Sequence, residues 1–358
     1  WSDRHLHYGE GPCPGGLAIA FPGQGSQYVG MGKNLVQTFA EAKDIFSRAD
    51  AAFDPDRRLS DLIFPEASED GDATLTAEDA LRSTDVAQPA IGAVSAVMMR
   101  ILKGFGITPA AVCGHSYGEI AALFAAGRLD EKKFFELSVA RGKFMARAGG
   151  QGDKGGMLAV KAPMDVLEAL IQESGLDVVL ANRNSPDQGV LSGPTEAIAA
   201  MKDLCREKKL RATILPVAAA FHSRLVAAAA APFADKIAAA SFHETGLPVY
   251  SNTTGKPYPL GADAAKSLLS GHLMHPVRFI EEIESMYRDG VRIFLEVGPR
   301  AVLTGLIKAI LKDRPAHALA VDASSGRHNG LADLARALCG MAALGYPVRL
   351  AEWKKSET

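Results

Sequence analysis

The sequence is short of the features that mark several classes of protein. Four cysteines (Cys13, Cys113, Cys205 and Cys339) are scattered over 358 residues with no CxxC pairing. That spacing speaks against a disulfide framework or a zinc site and fits reduced thiols in a cytoplasmic protein. Charge of one sign is also missing, since 39 Lys and Arg against 41 Asp and Glu leave a formal net charge of −2. A nucleic-acid surface or a polybasic membrane surface is not expected from that balance. No uninterrupted apolar run approaches the roughly 18 residues that span a bilayer. The opening WSDRHLHYGEGPCPGG lacks both an initiating Met and the apolar core of a signal peptide. It reads as the lead of a piece cut from a longer polypeptide.

What remains is the composition of a soluble globular protein, 47% hydrophobic and 22% charged, with length enough for a full core. Short apolar runs at 17–21, 110–113, 291–297 and 318–321 read as buried strands, and each is followed by a helical pattern. Helices are expected near 33–52, 86–104, 118–126, 130–148, 223–240, 277–288, 301–311 and 331–343. The helix at 86–104 is expected to start near Gln88 and Pro89, and Asp130 to cap the one at 130–148. Residues 55–80, rich in Asp, Pro and Ser, read mostly as loop, and 249–251 as a strand. Between 157 and 217 the order changes to strand, helix, strand, strand, helix, strand, which is the ferredoxin-like βαββαβ order. Strands alternating with helices on either side imply a parallel sheet covered on both faces, with the ferredoxin-like unit inserted into it. The expected division is a linker at 1–15, a large subdomain at 16–150 and 218–345, a small subdomain at 151–217, and a linker at 346–358.

Gly114-His-Ser-Tyr-Gly118 sits between an expected strand and an expected helix. Gly-x-Ser-x-Gly in that setting is a nucleophile elbow, whose tight turn excludes bulk on both sides of the serine. The following helix directs its N-terminal N–H groups and dipole at developing negative charge. Ser116 needs a base. His115 adjoins it, and neighbours along an elbow usually point apart. His5, His7 and His328 lie in polar stretches, while His243, His272, His275 and His317 read as surface histidines in or near loops. His222 lies within the apolar segment Ala218-Ala-Ala-Phe-His222, which makes it the best candidate partner. Arg141 falls on a helical stripe with Phe134, Leu137, Phe144 and Met145. An arginine there either snorkels to water or meets a buried anion. The PGQGSQ loop at 22–27 fails as a phosphate loop, because neither GxGxxG nor GK[ST] is completed.

GHSYGE at 114–119, FPGQGSQ at 21–27, RGKFM at 141–145, AFHS at 220–223 and LEVGP at 295–299 occur in family order. With DVAQPA at 85–90, NRNSP at 182–186 and SNTTG at 251–255, they make residues 17–345 resemble the malonyl-CoA:acyl carrier protein transacylase family. The terminal segments resemble those flanking acyltransferase domains of type I polyketide or fatty-acid synthases. Tyr117, where Leu is frequent, is similar to iterative synthases of the enediyne or polyunsaturated-fatty-acid type. The resemblance implies an α/β-hydrolase-like large subdomain carrying the ferredoxin-like insert. It implies Ser116 as nucleophile and His222 as base, with the backbone carbonyl of His272, four residues before Pro276, orienting the histidine. It further implies an oxyanion hole from the N–H groups of Gln24 and Tyr117. Arg141 would pair with the malonyl carboxylate, and Gln88, Met145, Asn184 and Phe221 would line the pocket, Phe221 disfavouring a 2-methyl branch. The partners implied are malonyl-CoA, the 4′-phosphopantetheine thiol of an acyl carrier protein, and neighbouring synthase domains, with no bound cofactor or metal. A serine esterase on a similar scaffold shares the elbow but needs no buried arginine. A scaffold domain without activity would be expected to have lost Ser116, His222 or Arg141.

Overall fold

A computed structural model describes residues 7–65, 72–148 and 152–357 of the chain. His5, the middle of the expected loop at 55–80 and the expected subdomain boundary at 150–151 lie outside the described residues. Four strands form a wholly parallel sheet in the order β2-β1-β7-β8: β1 (Gly16–Phe21), β2 (Ala111–Gly114), β7 (Val291–Glu296) and β8 (His317–Ala320). Every residue of β2 is buried, as is all of β1 after Gly16, because helices cover both faces. A second, antiparallel sheet has the order β4-β5-β3-β6, from β3 (Gly156–Lys161), β4 (Val179–Ser185), β5 (Gln188–Gly193) and β6 (Arg211–Ile214). Helices Met164–Ser174 and Thr195–Glu207 pack beside it around a separate core that includes Leu158, Leu167, Leu191 and Met201. The fold is thus a mixed α/β architecture, a parallel-sheet body with a ferredoxin-like unit. That unit is stitched to the body by backbone bonds from Arg183 N to Val277 O and from Val277 N to Ala181 O, at 2.9 and 2.8 Å.

Several elements depart from expectation for local reasons. The helix expected at 33–52 is two, Lys33–Thr38 and Ala40–Phe53, separated by Phe39 in extended geometry. The Phe39 ring is buried edge-on against Phe105 and Trp353. The long central helix runs Thr84–Gly104, so it begins before Gln88 and Pro89, and Pro89 lies inside it. Asp85 in its first turn complements the dipole, and Ala87 N already bonds Ser83 O at 2.8 Å, so the turn is set ahead of the proline. This helix is long and apolar enough to cross a bilayer, yet most of it lies in the core. Part of the expected loop at 55–80 is helical, at Leu59–Ile63 and Asp72–Arg82. The sequence pattern also gives no sign of the helix at Ala262–Gly271. Residues 249–251 form no strand but two isolated bridges, Val249 to Val112 at the outer edge of β2 and Tyr250 to Pro257. Near the C-terminus Arg349 N bonds Phe105 O at 2.9 Å and Trp353 packs on Phe105, so this stretch is docked on the body.

Candidate active site

The carboxyl ends of β1 and β2 lie side by side, and each releases one wall of the site. β2 ends at Gly114 and turns through Ser116, whose φ of 51° lies in the left-handed region, into helix Gly118–Ala125. A Cβ on Gly114 would lie 2.0 Å from the backbone of Gly118, and one on Gly118 would lie 2.0 Å from Phe21 O. The two glycines of the motif are therefore steric requirements of the turn. β1 ends at Phe21 and continues into the PGQGSQ loop, which runs so close that a Cβ on Gly23 would lie 2.4 Å from His115 O. Gln24 is thereby held beside Ser116, its amide donating to Thr84 Oγ1 at 3.1 Å.

His222 Nε2 lies 2.9 Å from Ser116 Oγ. Its Nδ1 faces two backbone carbonyls, His275 O at 2.9 Å and His272 O at 3.2 Å. Two acceptors at Nδ1 fix the proton there and leave Nε2 as the acceptor for the serine hydroxyl. Of the two carbonyls, that of His275 is nearer than that of His272. Burial, then the Arg141 charge and His272, push the His222 pKa down to about 3, so the imidazole is neutral at physiological pH. Ser116 itself stays half-open to a cavity of about 400 Å³. Gln24, Gln88, Arg141, Met145, Asn184 and Phe221 all line that cavity. Gln88 Nε2 approaches Gln24 Oε1 at 3.4 Å and Met145 Sδ at 3.5 Å.

Arg141 is fully buried, with no snorkelling path to water. Its Nη2 donates to Ser116 Oγ and its Nε to His272 Nε2, both at 3.2 Å, while Nη1 has no partner among the described residues. Burial brings its pKa down to about 10, which leaves it a cation. An unpartnered, buried guanidinium edge beside a serine hydroxyl is a place prepared for an anion.

Three residues carry weaker or opposite signals in sequence. The side chain of His272 reads as a surface group, yet it is 2% exposed and its imidazole contacts Arg141. His115 points into the cavity, not away from it, but its Nε2 bonds Asn184 Oδ1 at 2.7 Å and not the serine. Asn252, within the SNTTG segment, clamps the elbow: its Oδ1 accepts from Ser116 N and its Nδ2 donates to Gly114 O, both at 2.6 Å. The Nδ2 also donates to buried Glu282, 2.8 Å away. An Asn that recognises backbone across 136 residues of sequence leaves no local pattern to read.

The Tyr117 side chain points away from the cavity, its hydroxyl donating to Ser138 Oγ at 2.7 Å. A Cβ on Gly92 would meet that hydroxyl oxygen at 2.1 Å. Gly92→Ala is expected to cost about 1–3 kcal/mol by overpacking, and much less in a Tyr117→Phe background, where the oxygen is gone. Denaturant melts of the four proteins check this; equal costs in both backgrounds would contradict it.

A serine on a strained strand-to-helix turn, beside a neutral histidine at the carboxyl edge of a parallel sheet, is the layout of serine-dependent acyl-transfer enzymes of the α/β class. The profile described as the acyl transferase domain matches residues 19–339, and the chain belongs to that family. It is 38% identical over 301 residues to a malonyl CoA-acyl carrier protein transacylase of Bacillus subtilis, covering 82% of this chain and 90% of that one. It is 32% identical over 329 residues to a polyunsaturated fatty acid synthase polypeptide from a Thraustochytrium species, covering 88% of this chain but 11% of that much longer one. Among solved structures, the acyltransferase domain from the second module of the salinomycin polyketide synthase superposes with a TM-score of 0.83. That match has 30% identity and covers 95% of this chain and 76% of the other. The chain is an acyltransferase.

Proposed function

We propose that this acyltransferase moves a malonyl group from malonyl-CoA, through an ester on Ser116, to the phosphopantetheine thiol of an acyl carrier protein. The buried, half-unpartnered guanidinium of Arg141 next to the nucleophile carries the choice of acyl group. His222 Nε2 takes the Ser116 proton as Oγ attacks the thioester carbonyl. The oxyanion is received by the N–H groups of Tyr117 and Gln24; Ser116 N is already committed to Asn252. Removing one such donor typically costs about 10²–10³ in rate. Collapse breaks the C–S bond, and the departing thiolate of coenzyme A collects the proton from His222. The carrier thiol then repeats the sequence in reverse, giving ping-pong kinetics. The chemistry is carried by the chain's own side chains and backbone. The only phosphopantetheine arms in it are those of the substrate thioester and the carrier.

Arg141, His222, Met145, Asn184 and Phe221 all line the cavity that would receive the acyl group. Phe221 lines the same cavity, and a ring there would crowd a 2-methyl branch, a discrimination of about 1–3 kcal/mol per methyl. An esterase would have no use for a desolvated arginine at the serine. The match to a short stretch of a long synthase polypeptide supports work beside neighbouring domains of a multidomain synthase for polyketide or related products. Four free thiols support a reducing, cytoplasmic setting.

Arg141→Ala tests this assignment. A hydrogen-bonded charge is worth about 1.5–3 kcal/mol, so the preference for malonyl over acetyl groups is expected to fall roughly 10- to 150-fold. The check is the rate of serine acylation with each thioester under single turnover. An unchanged preference would remove the carboxylate clamp from the account.

A further inference from the structure

Arg141 is held by a side chain that the family roles assigned above do not use. The guanidinium reaches the cavity from helix Glu131–Arg147, and its Nε is met from behind by the imidazole of His272, which follows helix Ala262–Gly271. The Arg141 Nε–H donates to His272 Nε2, so that nitrogen carries no proton and the imidazole proton is on Nδ1. Nδ1 faces Glu119 Oε2 at 3.6 Å. Glu119 is itself fixed by the Tyr258 hydroxyl on one oxygen and by Asn252 N, at 3.4 Å, on the other. The Phe233 ring stacks on the imidazole with centroids 6.0 Å apart. His272, Glu119 and Arg141 are all buried.

We infer that the His272 imidazole is a positioning residue that aims Arg141 at the carboxylate of the acyl group, and so contributes to acyl selection. This inference rests on the malonyl reading above. A carboxylate placed directly on the guanidinium would orient it equally well, but it would neutralise the charge the substrate needs and compete for its donors. A neutral imidazole accepts one hydrogen bond, leaves Nη1 unpartnered and Nη2 on Ser116 Oγ beside the cavity, and preserves the cation. Glu119, one imidazole further back, lies 3.6 Å from Nδ1, beyond a direct hydrogen bond, so its charge favours the proton on that nitrogen without touching the arginine. A carboxylate behind the far nitrogen of a histidine is a placement that metal-binding histidines also use.

The test compares wild type with His272→Gln, whose carboxamide oxygen can accept from Nε, and His272→Leu, which fills similar space without an acceptor. Serine acylation is measured as kcat/KM with malonyl-CoA and with acetyl-CoA. The account expects the malonyl-to-acetyl ratio to fall about tenfold in the Leu variant, the scale of one lost hydrogen bond to a charged group. The Gln variant should stay within about threefold of wild type. If Leu and Gln behave alike, or if Leu slows both thioesters equally, the inference is overturned; the latter would mean that position 272 acts only through its carbonyl on His222. If wild type itself shows no malonyl preference, the malonyl reading fails instead. Should His272→Leu not fold, His272→Met serves the same arm. The Arg141 Nε–H resonance, assigned by its loss in Arg141→Lys, gives a second readout. It should be slow to exchange in wild type and in His272→Gln; rapid exchange in wild type would also overturn the inference.

Discussion

Replacing Ser116 by Ala removes the acyl-enzyme and lowers transfer by about 10⁴–10⁶-fold, leaving only what binding and the oxyanion donors contribute. The size of the effect follows from the geometry. The oxygen sits 2.9 Å from His222 Nε2 and 3.2 Å from Arg141 Nη2, and no other hydroxyl is placed between those two groups among the described residues. Alanine also fits the turn, because the neighbouring glycines provide the space and the backbone clamp from Asn252 acts on N, not on the side chain. Loss of activity should therefore come with a nearly unchanged melting transition, since alanine keeps the Cβ and with it the same backbone conformation at φ 51°. Quantifying ester formation by intact mass, alongside thermal unfolding, separates a lost nucleophile from a lost fold.

His222→Ala is expected to slow acylation by a comparable factor, and the double variant with Ser116→Ala to lose no more than either alone, since the two act as a unit. The same residue gives two pH signatures. Its folded pKa of about 3 lies below the value near 6.5 of an unfolded histidine, so on acidification the unfolded chain binds the proton first. Stability is present above pH 6.5 and declines as pH falls through the window down to 3. His222 alone contributes a loss of about 2 kcal/mol between pH 7 and pH 5, which His222→Ala should remove. His115 and His272, also pushed down by burial, act in the same direction. The acylation kcat/KM, in contrast, should be flat on its acid side from pH 8 to pH 5, because the free enzyme's base is neutral throughout. An acid limb centred near pH 6.5 would mean that His222 is solvated, contrary to its 5% exposure.

The parts of this protein that obey local steric or periodic rules are readable from sequence. The elbow is legible because its Gly-x-Ser-x-Gly spacing is local: Gly114 is forced by the backbone of Gly118 and Glu119, although Gly118 is forced by the distant Phe21. Arg141 stands out because a charge on an apolar stripe needs an explanation. Asp130 is legible as a cap, and its side chain does accept from Lys133 N at 2.7 Å. What escapes such reading is held by distant partners or carries little pattern. Asp72–Arg82, DATLTAEDALR, has too few apolar residues to announce a helix. Pro89 misplaces the start of the central helix because proline suits a first turn, whereas here the turn is set by residues before it. The side chain of His272 and the clamp of Asn252 follow short elements whose burial depends on the packed body, and no window of sequence contains their partners.

The central claim is that a malonyl group passes through Ser116 to a carrier thiol, and a two-step mass measurement addresses it most directly. The protein is first mixed with malonyl-CoA, acetyl-CoA or methylmalonyl-CoA, and its intact mass is read. A pantetheine-bearing acyl carrier protein is then added and both masses are read again. The account predicts one malonyl adduct, strongest with malonyl-CoA and absent in Ser116→Ala, that leaves the enzyme as it appears on the carrier. Free coenzyme A accumulating with neither adduct nor loaded carrier would make the protein a hydrolase and contradict the account.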